Sequence, residues 1–305
     1  MIKLCPLLFF ILCYANIVCA QNKILIPGQD ENFPLYSYLD TIKVTHYLKK
    51  YEKGVLSVDS ISEIREYLKL FAKKNDPLAQ FLYAKIHDFP FGKNTKENTK
   101  IAITYYKKAD KQNLAAAAGV LSKAYRYEDL NVSINYSKSR KYLNRMIEFG
   151  DTGLKADGCT ELARIYYQPE DSSIKKDIHK AIMYLEKALD YKPNDGRILD
   201  FLGGLHEENG EYLKAVEAFL NSDNEQMYLK VAQWLLDGKK IPKNEEKAIQ
   251  IILKVAASIK ENYGPYGQGY MGSKNPIHML NDLYCKKRIS KSKIQEYYID
   301  YWCDM

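Results

Sequence analysis

Histidine, cysteine and clustered carboxylates are the side chains from which this chain could build chemistry, and their spacing decides the matter. His46, His87, His179, His206 and His278 are scattered, with no pairing one helical turn apart and no cysteine partner at metal-ligand spacing. No H-E-x-x-H, C-x-x-C, G-x-S-x-G or phosphate-loop motif is present. Glu207, Glu208 and Glu211 crowd one turn. Paired carboxylates can do general acid–base work, but nothing reactive accompanies these, and they read as a solvated acidic corner. Of six cysteines, Cys5, Cys13 and Cys19 fall within the first 20 residues, and Cys159, Cys285 and Cys303 remain beyond them. An odd count allows at most one internal bridge among them. Cys285 and Cys303 would end two antiparallel helices at opposite ends of a hairpin, beyond the roughly 7 Å between Cα atoms that a bridge needs. Their pairing is left open. The sequence therefore predicts no enzyme, no cofactor and no metal.

The elements around these residues carry more information. Lys3 precedes an apolar run over 4–18, and Val18-Cys19-Ala20 fits a small-residue cleavage site before Gln21. Val18 before Cys19 does not suit a lipoprotein, and the run is short for a membrane span of about 20 residues. Residues 1–20 are expected to be a cleaved secretory signal, leaving an exported, soluble chain with no membrane insertion. The formal charge of +7 is spread along the sequence. It favours acidic partners mildly and does not point to nucleic acid. Tyrosine occurs 26 times, and its apolar face with a polar tip suits both hairpin cores and binding surfaces.

Helix-period apolar residues recur throughout. A first helix is expected over 35–51, then a second carrying Ile64, Tyr67, Leu68 and Phe71 and closed at Asn75. Clearer helix pairs follow. In the first helix of each pair a bulky residue precedes a small one: Tyr83-Ala84, Leu121-Ser122, Leu162-Ala163, Leu202-Gly203 and Val231-Ala232. The second helix again holds a small residue at a fixed place: Ala102, Ser139, Ala181, Ala215 and Ala248. Small residues at matched places let two helix backbones approach, and bulky ones fill the groove beside them. The connectors repeat too. Ile174-x-x-Asp177-x-x-Lys180-Ala181 matches Val132-x-x-Asn135-x-x-Lys138-Ser139 and Ile241-x-x-Asn244-x-x-Lys247-Ala248, with Thr95-x-x-Asn98 a weaker copy. Asp or Asn there should cap the second helix.

The pattern A-x-x-x-L-G-x-x-Y, then V-x-x-D-x-x-K-A-x-x-W/Y, resembles the Sel-one-like repeats of the tetratricopeptide superfamily. The family's paired connector glycines are reduced to Gly92 and Gly238, and the unit over 197–220 has a shorter linker. The resemblance implies an all-α fold, a right-handed α/α solenoid of helical hairpins. Its expected parts are capping helices over 21–75, five repeats over 76–258, a Tyr/Gly loop over 259–275 and a closing hairpin over 276–305. The resemblance also implies that the residue after each small one looks onto the concave face. Those residues are Lys85, Lys123, Arg164, Gly204 and Gln233, with Arg126 and Tyr167 one turn on. They form a basic stripe flanked by tyrosine that turns acidic at Asp200 and Glu207. Tyr263, Tyr266 and Tyr270 in the Tyr/Gly loop are a second candidate surface. The function implied is that of a periplasmic or secreted, non-enzymatic protein binder. An immunity protein holding a toxin effector with an acidic surface fits that description. An envelope scaffold, adaptor or host-contact protein is the alternative. A β-lactamase-like enzyme is disfavoured, because the regular cysteine pairs of such relatives and an S-x-x-K with its supporting motifs are missing.

Overall fold

The structure is a computed structural model that describes residues 24–26, 28–40, 58–88, 96–263 and 276–290. The expected signal, Gly92, Tyr266, Tyr270, Cys303 and the second closing helix lie outside the described residues. Two compact units divide the chain, one of residues 1–177 with 190–192, the other of 178–189 with 193–305. The first holds a short antiparallel ladder between β1 (Ile24–Leu25) and β2 (Tyr36–Ser37). Six helices follow: α1 (Val58–Lys73), α2 (Pro77–Asp88), α3 (Lys96–Lys111), α4 (Ala115–Tyr127), α5 (Tyr136–Phe149) and α6 (Thr152–Tyr167). The second holds most of α7 (Ile178–Tyr191), then α8 (Gly196–Glu208), α9 (Tyr212–Leu220), α10 (Glu225–Asp237), α11 (Glu245–Tyr263) and α12 (Pro276–Cys285). Each unit stacks helical hairpins, so the fold is the all-α solenoid class that the repeats imply.

The small residues explain the stacking. Ala84, Ser122, Ala163, Gly203 and Ala232 are buried in the first helices, and Ala102, Ser139, Ala181, Ala215 and Ala248 are fully buried in the second. In the α4–α5 hairpin the two matched places touch directly, Ser122 Oγ lying 3.1 Å from Ser139 Oγ. In the α8–α9 hairpin the Phe219 ring covers Gly203 so closely that an added Cβ would sit 2.5 Å from it. The bulky members fill the cores, with Tyr106, Leu143, Leu185, Phe219 and Ile252 almost wholly buried.

The connectors are pinned in a recurring way. Asn135 N–H donates to the Tyr125 carbonyl at 2.8 Å, Asp177 to Tyr166 at 2.8 Å, Glu211 to His206 at 2.8 Å and Asn244 to Leu235 at 2.9 Å. The Asn135 and Asn244 side chains then accept from the backbone of Lys138 and Lys247, both at 2.9 Å. Asn135→Ala is expected to cost about 1 kcal/mol in urea unfolding, because an orphan N–H of α5 loses its acceptor. Asn98 departs from the pattern. Helix α3 has begun by Lys96, so Asn98 lies inside it and contacts His87 instead. Gly238 closes α10 in the left-handed region at φ +67°, as a residue without Cβ does most readily.

Turns between hairpins follow a second rule. Asn75, Asn113 and Asp223 take left-handed φ values of 66°, 65° and 55°. Asp76, Leu114 and Asn224 come next. Asp76 Oδ1 caps α2 through Ala79 N–H at 2.8 Å, and Asn224 Oδ1 caps α10 through Gln226 N–H at 3.0 Å. Leu114 has no acceptor to offer. Gln29 supplies one from far along the chain: its Oε1 accepts from Ala115 N–H, and its Nε2 donates to the Asn113 carbonyl, both at 2.8 Å.

That contact belongs to a strap over residues 28–40. Asp30 N–H donates to the Phe149 carbonyl at 2.8 Å, Asp151 N–H to the Gly28 carbonyl at 3.1 Å, and Lys155 pairs with the Asp30 carboxylate. At its other end Ser37 Oγ donates to Asp76 at 2.9 Å and Tyr38 N–H at 2.7 Å. The strap thus touches three consecutive inter-hairpin turns. It also corrects the expected helix over 35–51: Tyr36 and Ser37 are a strand, and Ser37 and Leu39 are buried while Tyr36, Tyr38 and Asp40 are exposed. That period of two marks extended backbone, and bonds to Asp76 hold it so. Residues 41–51 lie outside the described ones. A second correction concerns the Tyr/Gly loop, because α11 continues through Tyr263 rather than ending at Ser258.

Candidate functional site

The place after each small residue faces away from the hairpin core. Lys123, Arg164 and Gln233 are exposed, Lys85 is half-buried with Nζ 5.9 Å from the Phe81 ring centroid, and nothing lies within 4 Å of a Cβ built on Gly204. Tyr167, half-buried, lies beneath Lys176, whose Nζ is 4.6 Å from its ring centroid. In the first unit Lys85, Lys123 and Arg164 therefore hold equivalent places on α2, α4 and α6. Tyr263 is the last residue of α11, and the structure does not join it to Tyr266 or Tyr270, which lie outside the described residues.

Arg126 differs from the expectation of an open anchor. Only 8% of its side chain is exposed, and its guanidinium meets Glu161 at 2.9 Å and Glu170 at 3.0 Å. Burial works against its charge, but the bond it donates to Glu170 and the nearby carboxylates outweigh this and raise its pKa above the ordinary arginine value. The exposed Tyr127 ring lies 5.0 Å from its Cζ.

The second unit repeats this clamp with the charges reversed. Glu207 stands four residues after Gly203, as Arg126 stands four after Ser122. Lys230 stands two before Ala232, as Glu161 stands two before Ala163. The third member comes from the following connector, Lys240 in one unit and Glu170 in the other. Glu207 pairs with Lys230, and with Lys240 at 2.7 Å. Burial opposes its ionisation, yet the two lysines hold its carboxyl below the usual range. Both ammonium groups also lie over aromatic faces, Lys240 Nζ at 4.6 Å from the Trp234 centroid and Lys230 Nζ at 5.0 Å from Phe219. Of the acidic end expected at Asp200 and Glu207, the Glu207 charge is thereby offset, while Asp200 receives a hydrogen bond from the Asn224 amide. Opposite charges at the place four after one small residue and two before the next were the available signal.

The glutamates beside the α8–α9 turn are likewise engaged. Glu211 accepts from Lys214 at 2.8 Å and contacts His206 Nδ1 at 2.7 Å. Those bonds, with one from Asn209, lower its pKa to about 2. The solvated acidic corner is thus an ion-paired one. His87 and His206 share a repeat place, are both buried, and each contacts the residue four before the small one of its second helix, Asn98 or Glu211. Burial pushes the His87 pKa down. His179 and His278 are exposed. Cys159 is buried, and Cys285 is disulfide-bonded to a partner outside the described residues. Among the described residues no group of His, Cys, Asp or Glu could hold a metal ion, and no helix is long and apolar enough to cross a membrane.

Comparison with known proteins agrees with this architecture. A family model described as Sel1 repeat matches residues 77–114, 115–151, 156–190 and 226–256. The first two matches begin on the first residues of α2 and α4, and the short-linker hairpin α8–α9 falls between matches. No curated protein sequence matches the chain. Among solved structures, a protective antigen of uropathogenic Escherichia coli strains with an SLR fold is 17% identical, over 86% of this chain and 62% of that one, with a TM-score of 0.48. A Sel1 repeat protein from Oxalobacter formigenes is 18% identical, over 80% of this chain and 99% of that one, at a TM-score of 0.46. The MamA protein is 19% identical, over 65% and 98%, at 0.40. This chain spans 62% of the length of the antigen. Matched four times between residues 77 and 256, with buried small residues at each repeat's helix contact, the chain carries Sel1 repeats, which fit the tetratricopeptide-like superfamily.

Proposed function

We propose that this chain is an exported, non-enzymatic binder whose first unit grips an acidic segment of another protein through the stripe of Lys85, Lys123 and Arg164. Sel1-repeat proteins typically mediate protein–protein contacts and generally act as non-enzymatic scaffolds. The observation that supports this surface is positional: the place after each buried small residue points away from the hairpin core, exposed at Lys123 and Arg164 and half-buried at Lys85, and in the first unit it is basic three times over. Export rests on the apolar run over 4–18 and the cleavage pattern before Gln21. A periplasmic toxin effector with an acidic surface is the partner class that joins export to binding, making the chain an immunity protein.

The test is charge reversal on the exposed face, where folding is little affected. Lys123→Glu with Arg164→Glu is expected to weaken the complex with a partner captured from the periplasm roughly tenfold or more, mainly by slowing association and flattening its salt dependence. Unchanged affinity removes the stripe from consideration. Recovery of the chain only in the cytoplasm on fractionation removes the periplasmic role.

A further inference from the structure

Arg126 lies three residues after Lys123 on α4, one helical turn along the same side, and all three nitrogens of its guanidinium donate to carboxylates. Nη1 donates to Glu161 Oε2 at 2.9 Å, while Nε and Nη2 donate to Glu170 Oε2 and Oε1 at 3.2 and 3.0 Å. The two carboxylates are held differently. Glu161 sits on helix α6, where Arg164 also approaches it at 3.7 Å. Glu170 sits on the connector over 168–177, is 41% exposed, and meets the guanidinium in the two-pronged geometry by which arginine receives a carboxylate ligand. The neighbouring Asp171 is tied to Arg140 at 3.4 Å, and the connector's far end is pinned by the Asp177 N–H bond to Tyr166. Just ahead of these pins Glu170 reaches onto the first-helix side from the connector.

We propose that Arg126 is the carboxylate receptor of this binding face and that Glu170 is its built-in occupant, displaced by an acidic side chain of the partner. The idea rests on the proposed function and assigns a mechanism to it. Exchanging one carboxylate for another keeps the buried cation paired throughout, so the partner avoids the penalty of a bare buried charge. Glu161 stays in place during the exchange. The exposed Tyr127 ring beside Arg126 supplies an apolar wall for the incoming side chain. The resident carboxylate also sharpens selection: a single acidic residue gains nothing over Glu170, whereas a segment that reaches Lys123 and Arg164 as well gains the difference. The charge-reversed clamp of the second unit has the same build, since its outer member, Lys240, also comes from a connector.

Fluorescence anisotropy with a labelled decapeptide of alternating glutamate and glycine, added to the full chain at low salt, tests this. Glu170→Gln is expected to bind the peptide about tenfold more tightly than the parent chain, since the competing charge is gone while Glu161 still pairs Arg126. Adding Arg126→Lys to Glu170→Gln should erase that gain, because lysine keeps the charge but not the fork. The Glu170→Gln change lies on an exposed connector, and its unfolding midpoint by circular dichroism should stay within about 2 °C of the parent. Equal or weaker peptide binding by Glu170→Gln overturns the displacement, even if Lys123→Glu with Arg164→Glu still abolishes binding and so upholds the stripe. Tightening by Glu170→Gln with no effect of the stripe variants upholds the receptor and sinks the stripe. Absence of binding by every variant overturns both.

Discussion

Gly203→Ala is expected to lower the stability of the chain by about 2–3 kcal/mol, and Gly204→Ala, one residue on, to raise it by about 0.5–1 kcal/mol. Alanine is the better helix former at both positions, so propensity alone would give both changes the same sign. Surroundings divide them. A Cβ at Gly203 would meet three atoms of the Phe219 ring at 2.5, 2.6 and 3.1 Å, whereas nothing lies within 4 Å of one at Gly204. The ring cannot retreat cheaply, being 1% exposed and packed edge-on against Trp234 at 6.1 Å between centroids. Urea unfolding followed by circular dichroism checks both variants. Phe219→Leu should return part of what Gly203→Ala loses, and two changes of the same sign would refute close approach of α8 and α9 at this place.

Asp76→Ala should cost about 3 kcal/mol, far more than the roughly 1 kcal/mol expected for the simple cap variant Asp195→Ala. Asp195 caps α8 near the surface. Asp76 is 5% exposed and serves three masters at once: Ser37 Oγ, Tyr38 N–H and the α2 cap at Ala79 N–H. Removing the carboxylate leaves the Ser37 and Ala79 donors buried without their acceptor and frees the strap at one end. Equal losses in the two variants, measured in the same urea series, would show that the strap contributes nothing at Asp76.

The hairpins could be read from the sequence because each small residue and each cap answers a local demand that recurs. Ala102 or Asn135 can be recognised by its place in a repeat without knowing the neighbours. The strap could not. Leu35 and Leu39 stand one helical turn apart, so their spacing suits a helix, and only Asp76, from the next hairpin, makes the segment extended. Gln29 is invisible for the same reason, since the missing acceptor it replaces is at Leu114 and the Ala115 N–H it accepts from stands 86 positions further along the chain. At the candidate site the exposure of Lys123 and Arg164 followed from register. The enclosure of Arg126 did not, because it depends on where the connector carries Glu170, and connector lengths vary between repeats. Glu207 was misjudged alike: three glutamates near one turn look solvated until Lys230 and Lys240 arrive from the next hairpin.

The placement of the strap bears on how the polypeptide matures during translation. Gln29 and Asp30 leave the ribosome early, yet their partners stand 84 and 125 residues downstream, at Asn113 and Lys155. Asp76 and Asn113 are made earlier, but until Lys155 has emerged the Asp30 end of the strap lacks its ion-pair partner, and long-range closure of this kind is slow. The hairpins must therefore condense first and the leading segment last, so that completion of the first unit is signalled by the very residues that were made before any of it existed.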